Sequence, residues 1–222
     1  MKSKMSSKLA GFLALVAGIW MSLSALAQAA MLPYTDIPSI YSPWLTDQIA
    51  YLYREGCVYV PRDKKFRGKD SLTRYDVAYL MGQVAHKLDG ISSAAVTFSD
   101  VPKSHWAYQR VGLAAKSGLM KGFDDGTFRG DEQVSHYELA VIMDRALAKR
   151  NLSDYSHVEL ADTPRSHWAY KAVCSVCNRR VMEKWPDPSD ISSGKFVFGG
   201  DEYLKRYEAM QWFCNLVEKL HE

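Results

Sequence analysis

The chain has 222 residues, of which 47% are hydrophobic, and it carries 28 lysines and arginines against 25 acids. Its formal net charge of +3 comes from three lysines within the first eight residues, and without them bases and acids are equal in number. Proteins that hold nucleic acid or anionic lipid without sequence specificity need a basic excess, so composition argues against both partners.

The first thirty residues have the layout of a secretory signal peptide. Lys2, Lys4 and Lys8 form a basic start, residues 9–26 are an apolar run, and residues 25–29 offer small-x-small cleavage sites. This layout predicts a signal peptide over residues 1–29 and a secreted protein. The run is long for a signal core, so an uncleaved membrane anchor is the alternative. After cleavage, no apolar stretch of the sequence is long enough to span a bilayer.

The rest of the sequence is one unit written three times. A tryptophan recurs at intervals of 62 residues, at Trp44, Trp106 and Trp168. Each is followed by a Phe-x-Gly segment that begins at Phe66, Phe128 or Phe198. Eight residues beyond each of these phenylalanines lies Arg74, His136 or Arg206, with an acid two positions later. A helical pair of this size cannot cover its own apolar face, so we expect the three copies to share one core.

Each copy reads as helix, loop, helix. The first helices are predicted over residues 44–56, 106–118 and 168–181, because apolar residues such as Val111, Ala114 and Ala115 recur at helical spacing. Gly118 is placed to end the second of them. Copy three carries eight extra residues before its Phe, including Pro186 and Pro188, which predict a structured excursion outside both helices.

The second helix of each copy has a clear start signal. Thr73 with Asp76, and Ser135 with Glu138, are capping-box patterns. Copy three has Lys205 at the capping position, which should weaken that helix start by about 1 kcal/mol. The apolar stripes that follow most simply face one another in a central three-helix bundle.

These motifs resemble the surface-layer homology (SLH) repeat. The resemblance lies in residues 98–108 (FSDVPKSHWAY), 122–128 (GFDDGTF) and 134–138 (VSHYE), and copy three repeats the opening at residues 161–170. Residues 72–76 (LTRYD) are close to the family's Thr-Arg-Ala-Glu signature. Tyrosine in place of the signature alanine resembles the version found in diderm bacteria whose outer membrane is tethered to peptidoglycan.

The resemblance implies an all-α fold in which three SLH repeats form a pseudo-threefold body around a central three-helix bundle. The repeats are expected at residues 30–90, 91–152 and 153–222, called copies one, two and three below. The implied function is non-covalent, non-catalytic binding of a cell-wall glycan, either peptidoglycan or a secondary cell-wall polymer. The protein, or a partner held by it, would thereby be anchored at the cell envelope. No cofactor is implied.

The signature arginine is the family's main ligand contact, so the resemblance assigns that role to Arg74 and Arg206. The residues themselves support this in part, because a guanidinium at a helix start lies beside free amides and the positive end of the helix dipole. The alternative is that both arginines are solvated helix-start residues. Copy two departs with His136, which puts its cleft in doubt. The histidine could make that cleft sensitive to pH, but a degenerate, structural copy is the favoured reading.

Further candidate contacts surround these positions. Thr73 precedes the first arginine, and the glycines of the Phe-x-Gly segments could offer amides at close approach because they lack a side chain. Those glycines are Gly68, Gly130 and Gly200. Trp106 and Trp168 could stack on a sugar face, although bracing of the junctions between copies is the more ordinary role. The acids Asp76, Glu138 and Glu208 are read as helix caps, and they would be first candidates for a cationic ligand.

Two other readings have weaker support. Cys174-x-x-Cys177, with Cys214 elsewhere, invites a zinc or dithiol site, but the register places both mid-helix on a packed face, so we expect no metal. Whether Cys214 takes part in a disulfide is left open by the sequence.

No nucleophile–base or paired-carboxylate pattern stands out, so a wall hydrolase is the weaker alternative to an adaptor that binds another envelope protein. The sequence ends at Glu222, directly after the last predicted helix, so we expect action through a partner or as a small wall-coating protein.

Overall fold

The computed structural model describes residues 32–37, 43–95, 98–188 and 196–222, so the predicted signal peptide lies outside the described residues. The described part is helical, apart from one two-stranded sheet, and this confirms the all-α prediction. Its helices are α1 (Pro43–Arg54), α2 (Arg74–Asp89), α3 (Tyr108–Lys116), α4 (His136–Lys149), α5 (Tyr170–Asn178) and α6 (Arg206–His221). The strands β1 (Trp185–Pro186) and β2 (Phe196–Val197) pair antiparallel in the excursion of copy three.

The first helices of copies two and three are shorter than predicted. In copy two the His105 amide donates to the Pro102 carbonyl and the Tyr108 amide donates to the His105 carbonyl, so Trp106 lies in a turn ahead of the helix. The helix then ends before Gly118, whose φ of +75° reverses the chain. The periodicity includes these flanking turns because their apolar residues face the same core.

The second helices begin as predicted in copies one and two. Thr73 and Ser135 each accept a hydrogen bond from the amide three residues on, and the acid at that position accepts from the capping residue's own amide. In copy three only half of this box exists. Glu208 accepts from the Lys205 amide at 2.7 Å, but the lysine side chain has no oxygen to accept a bond in return.

Helices pack across copies rather than within them. The second helix of each copy lies against the first helix of the next copy, so α2 packs on α3 and α4 packs on α5. The third pair, α6 with α1, joins the last copy back to the first. The second helices α4 and α6 also contact each other. Every copy therefore depends on both neighbours for burial of its apolar surface.

The starts of the second helices meet in a small ring of backbone hydrogen bonds. The Leu72 amide donates to the Leu204 carbonyl at 2.8 Å, and the Val134 amide donates to the Leu72 carbonyl at 3.2 Å. An antiparallel bridge between Ser135 and Tyr203 closes the third side. Leu72, Val134 and Leu204 come from three different copies and are all buried. The ring therefore places the three copies around a common pseudo-threefold axis.

A tyrosine of each copy packs on a glycine of the next. Tyr75 covers Gly130, so closely that a Cβ added there would lie 2.1 Å from the ring. The same contact recurs between Tyr137 and Gly200 and, closing the circle, between Tyr207 and Gly68. The three hydroxyls donate to the carbonyls of Asp100, Asp162 and Asp36 at 3.5, 3.2 and 3.4 Å. The tyrosine that replaces the signature alanine therefore packs on the next copy at every junction.

Within the described ranges, none of the helices combines the length and the apolarity needed to cross a bilayer.

Candidate functional site

An aspartate fixes the Phe-x-Gly segment of each copy. Asp100 accepts from the amides of Phe128 and Arg129, both at 2.7 Å, and Arg129 has a φ of +54°. Asp36 binds the amides of Phe66 and Arg67 in the same way, and Asp162 those of Phe198 and Gly199. The two amides are therefore occupied by protein in all three copies.

Three equivalent grooves lie between successive copies, and each is named here by the residue that begins the second helix. Groove 1 contains Arg74, groove 2 contains His136 and groove 3 contains Arg206. The opposite wall of each groove is the second helix of the next copy together with the segment that follows the first helix. In that segment, Lys121 of groove 1 corresponds through the 62-residue register to Glu183 of groove 2 and Tyr59 of groove 3.

Groove 1 is open, with a volume of about 210 Å³. Arg74 is only 7% exposed, and it is held by hydrogen bonds from Nε to the Phe128 carbonyl at 3.0 Å and from Nη2 to the Lys121 carbonyl at 2.9 Å. Its guanidinium lies 4.9 Å from the ring centres of Phe123 and Phe128. The arginine is therefore not the solvated helix-start residue of the alternative reading but a rigidly placed cation.

The charges around groove 1 are mostly positive. Lys121 and Arg145 line it beside Arg74, with Glu138 as the one lining carboxylate among the described residues. Burial lowers the pKa of Arg74, but a guanidinium stays protonated at neutral pH. Glu138 is already engaged, because its Oε2 accepts from the Ser135 amide at 2.9 Å. The groove is suited to a group that carries negative charge.

Groove 2 is the largest, with a volume of about 750 Å³. His136 is 4% exposed, and its Nδ1 lies 3.3 Å from the Phe198 carbonyl, the position that corresponds to the Arg74–Phe128 bond. The imidazole is surrounded by Trp185, with ring centres 6.0 Å apart, and by Trp212, at 5.1 Å. Burial lowers the pKa of His136 below its ordinary value of 6.5, so the ring is neutral at pH 7.

Groove 3 is closed by residues of the chain itself, and its volume is about 20 Å³. The ring of Trp106 stacks on Tyr59 with centres 4.4 Å apart and planes 21° from parallel. Arg206 is paired with Asp76 across the groove and lies 5.2 Å from the Phe66 ring centre. The two signature arginines therefore differ: Arg74 lines open space, and Arg206 is held by a carboxylate in a filled groove.

The tryptophans of the register lie at the corresponding edge of each groove. Trp168 lines groove 1 and is 65% exposed, and Trp44 lines groove 2 and is 57% exposed. Trp106 is 36% exposed because Tyr59, Tyr75 and Tyr79 pack against it. Trp106 thus braces a junction, whereas Trp168 and Trp44 present aromatic surface to solvent.

The amides at the helix starts are not free, contrary to expectation. The Arg74 amide donates to the Glu132 carbonyl at 2.9 Å, and the Arg206 amide donates to the Asp70 carbonyl at 3.0 Å. Thr73, expected among the ligand contacts, is engaged as the helix cap. The neighbouring copy satisfies donors that an isolated helix would leave exposed, so these helix-start amides are not available to a ligand.

The glycines expected to expose amides have a different role in the structure. Gly68, Gly130 and Gly200 lie under the tyrosine rings described above, so the close approach is made by protein. Sequence reasoning missed the residues of the opposite wall, such as Lys121, Glu183 and Tyr59. The 62-residue register could have identified them, since they occupy one position of the repeat.

The cysteines are buried or half-buried thiols. Cys174 and Cys177 lie within α5, Cys57 and Cys214 are buried, and none of the four is paired. Burial raises the pKa of Cys57, Cys177 and Cys214 to about 12. Across the described part of the chain, no three His, Cys, Asp or Glu side chains gather as a metal site would require.

Comparison with known proteins gives evidence on the family of this chain that does not depend on the structure. The S-layer homology domain family matches residues 33–78 and 97–140, which fall in copies one and two. The chain is 25% identical over 167 residues to Cell surface glycoprotein 1 of Acetivibrio thermocellus, covering 71% of this chain and 7% of that protein. It is 48% identical over 50 residues to Outer membrane protein SlpA of Thermus thermophilus, covering 22% and 6%. It is 24% identical over 127 residues to the Cellulosome-anchoring protein of A. thermocellus, covering 55% and 28%. The chain thus spans less than a third of the length of these relatives.

Proposed function

Because this chain is an S-layer homology domain protein, we propose that it binds a cell-wall glycan without a covalent bond and without catalysis. The glycan would be peptidoglycan or a secondary cell-wall polymer, and binding would hold the protein, or a partner attached to it, at the cell envelope. The names of the relatives, a cell surface glycoprotein, an outer membrane protein and an anchoring protein, support this location. An adaptor role toward another envelope protein is compatible with the same binding.

The observation that carries the proposal is the way Arg74 is mounted in groove 1. Two carbonyls and two aromatic rings fix its guanidinium at the wall of an open groove. Because the guanidinium is already fixed, less side-chain entropy is lost when a ligand binds. A guanidinium can also bind a carboxylate or phosphate with two parallel hydrogen bonds. Lys121 and Arg145 add positive charge at the same place.

The edge of groove 1 supports a sugar as the rest of the ligand. Trp168 is 65% exposed and lines the groove next to the cationic cluster. An aromatic face can pack against the apolar face of a sugar ring while the charged group reaches the arginine. We propose Arg74 and Trp168 as the main contacts, with Lys121 and Arg145 beside them.

We expect the other candidate contacts to bind ligand only where their groove has open space. We propose that His136 serves a second working groove, and that Arg206 and Trp106 contribute little because groove 3 is filled.

We also propose that residues 153–222 form a third repeat beside those at 30–90 and 91–152. The Asp162 contacts and the Tyr137–Gly200 packing support this, since they repeat those of the other copies.

Co-sedimentation with purified sacculi tests the proposal. Lys121 and Lys116 are both exposed, but only Lys121 lines groove 1. Lys121→Glu and Lys116→Glu therefore change the net charge equally, and the second is the matched control. We expect sacculi freed of protein to retain the chain, Lys121→Glu to weaken retention at least fivefold, and Lys116→Glu to leave it unchanged. Equal retention of both variants, or no retention of the original chain, would contradict the proposal.

A further inference from the structure

The loops that join the two helices of copies one and two carry opposite charge. Loop 1 is defined here as residues 62–70 and loop 2 as residues 124–132, which are equivalent in the 62-residue register. Loop 1 contains five lysines and arginines and two aspartates, so its formal charge is +3. Loop 2 contains one arginine and four acids, so its formal charge is −3. All of these charged residues are exposed.

The two loops nevertheless share one backbone arrangement. In each of them an aspartate pairs with the arginine four positions later, Asp63 with Arg67 in loop 1 and Asp125 with Arg129 in loop 2. The two arginines have φ values of +55° and +54°. The charges that differ between the loops are therefore held on equivalent backbone, at equivalent places around the pseudo-threefold axis.

Lys64 shows that the turn itself does not require the charge of loop 1. Its φ is +54°, in the left-handed region that residues with a Cβ rarely adopt, whereas the equivalent residue of loop 2 is Gly126, with a φ of +80°. Glycine would form this turn with less strain, so the backbone conformation does not explain the lysine. Lys65 follows, where loop 2 has the neutral Thr127. Both lysines are exposed, and they raise the positive potential at the end of the loop.

The sign of the charge reverses at two further equivalent positions. Arg62 corresponds to Asp124, and Lys69 corresponds to Asp131. In the part of the chain that the structure describes, none of these four side chains takes part in a salt bridge. None of them lines groove 1, 2 or 3 either. They are therefore available to a partner that approaches outside the grooves.

We propose that loop 1 is a docking surface for loop 2 of a second copy of this chain. The formal charges of the two loops are equal and opposite, and over the described ranges no salt bridge joins them within one molecule. Charge complementarity of this kind steers association and fixes its register more than it adds affinity, so the contact is weak and sensitive to salt.

The arrangement of the loops determines the kind of assembly. Because they belong to different copies, they lie in different directions from the pseudo-threefold axis. A molecule that uses its loop 1 keeps its loop 2 free, so the contact is heterologous and can extend along a row of molecules. Docking of this kind goes beyond the proposed wall binding and does not depend on it, because the reversed positions lie outside the grooves.

Sedimentation velocity of the purified protein and of two charge-reversed variants tests the proposal. The first variant carries Arg62→Asp with Lys69→Asp, and the second carries Asp124→Arg with Asp131→Lys. Each substitution introduces the residue that the other loop already has at the equivalent position, so the loop can fold as before. The first variant keeps the original loop 2 and the second keeps the original loop 1.

We expect the original chain to associate as its concentration rises at about 0.01 M salt and to be monomeric at about 1 M, where the Debye length is about 3 Å. Each variant alone should associate about tenfold more weakly or less, since attraction at two exposed positions becomes repulsion. An equimolar mixture of the two should form a one-to-one complex, because one original loop 1 then meets one original loop 2.

Lys116→Asp with Lys171→Asp is the matched control for the first variant. Both lysines are exposed and lie outside the two loops, and the change in net charge is the same. This control should associate as the original chain does. A monomeric original chain at low salt, undiminished association of either variant alone, or a mixture that does not associate would overturn the proposal. A chain that stays monomeric but binds polyphosphate through loop 1 would identify an anionic polymer as the partner instead, and would overturn it as well.

Discussion

Replacement of Gly130 by alanine tests whether the tyrosine–glycine contacts hold the three copies together. The added Cβ would lie 2.1 Å from Cζ and 2.2 Å from Cε1 of Tyr75, whereas ordinary contact begins at 3.4 Å. The ring cannot retreat easily, because His105 lies 4.1 Å and Phe128 5.9 Å from it between centres. Overpacking of a closed site costs about 1–3 kcal/mol. At this chain length that corresponds to a Tm lower by roughly 2–12 °C.

Thermal unfolding followed by circular dichroism measures this effect, and a double variant identifies its cause. If the clash with Tyr75 is responsible, Gly130→Ala should cost almost nothing in a Tyr75→Ala background, so the two changes should be strongly non-additive. Gly90→Ala is the control, because a Cβ there meets nothing within 4 Å and only the φ of +65° opposes it. A Tm for Gly130→Ala within 1 °C of the original chain, or additive costs in the double variant, would refute the reasoning.

Two further predictions concern the second helices. Lys205→Ser should restore the missing half of the capping box and raise the free energy of unfolding by about 1 kcal/mol, as chemical denaturation would show; a loss of stability would contradict this. Burial lowers the pKa of His136, against the opposing effect of Glu202 and Glu208, so the unfolded chain binds more protons below pH 6.5. Stability should therefore be fully present above pH 6.5 and fall as the pH drops toward 5, and His136→Gln should lose less Tm over that interval. Equal losses would show that this histidine does not contribute to the pH dependence.

The parts of the fold that depend on neighbours along the chain could be predicted from the sequence. The capping boxes at Thr73 and Ser135 need only residues three positions apart, and both are present in the structure. The 62-residue register shows which residues are equivalent, because repeats place equivalent residues in equivalent surroundings. The limits of the first helices were less accurate, since the turn at Trp106 continues the apolar pattern of the helix.

Contacts between copies could not be predicted in the same way. The pairing of each second helix with the first helix of the next copy depends on the direction of the chain around the axis, which periodicity does not reveal. The amide of Arg74 was expected to be free, but its acceptor is the Glu132 carbonyl of the neighbouring copy. Likewise, the signature arginines look alike in the sequence, and only the packing shows that Arg206 faces Asp76 in a filled groove.

The most direct test of groove binding is an NMR titration of the protein with soluble fragments of the cell wall. Each groove has its own indole reporter: Trp168 for groove 1, Trp44 for groove 2 and Trp106 for groove 3. Binding in the open grooves should shift the Trp168 signal, the Trp44 signal or both, while the Trp106 signal stays in place. A shift confined to Trp106, or no indole shift under conditions in which intact sacculi retain the protein, would contradict binding in the open grooves.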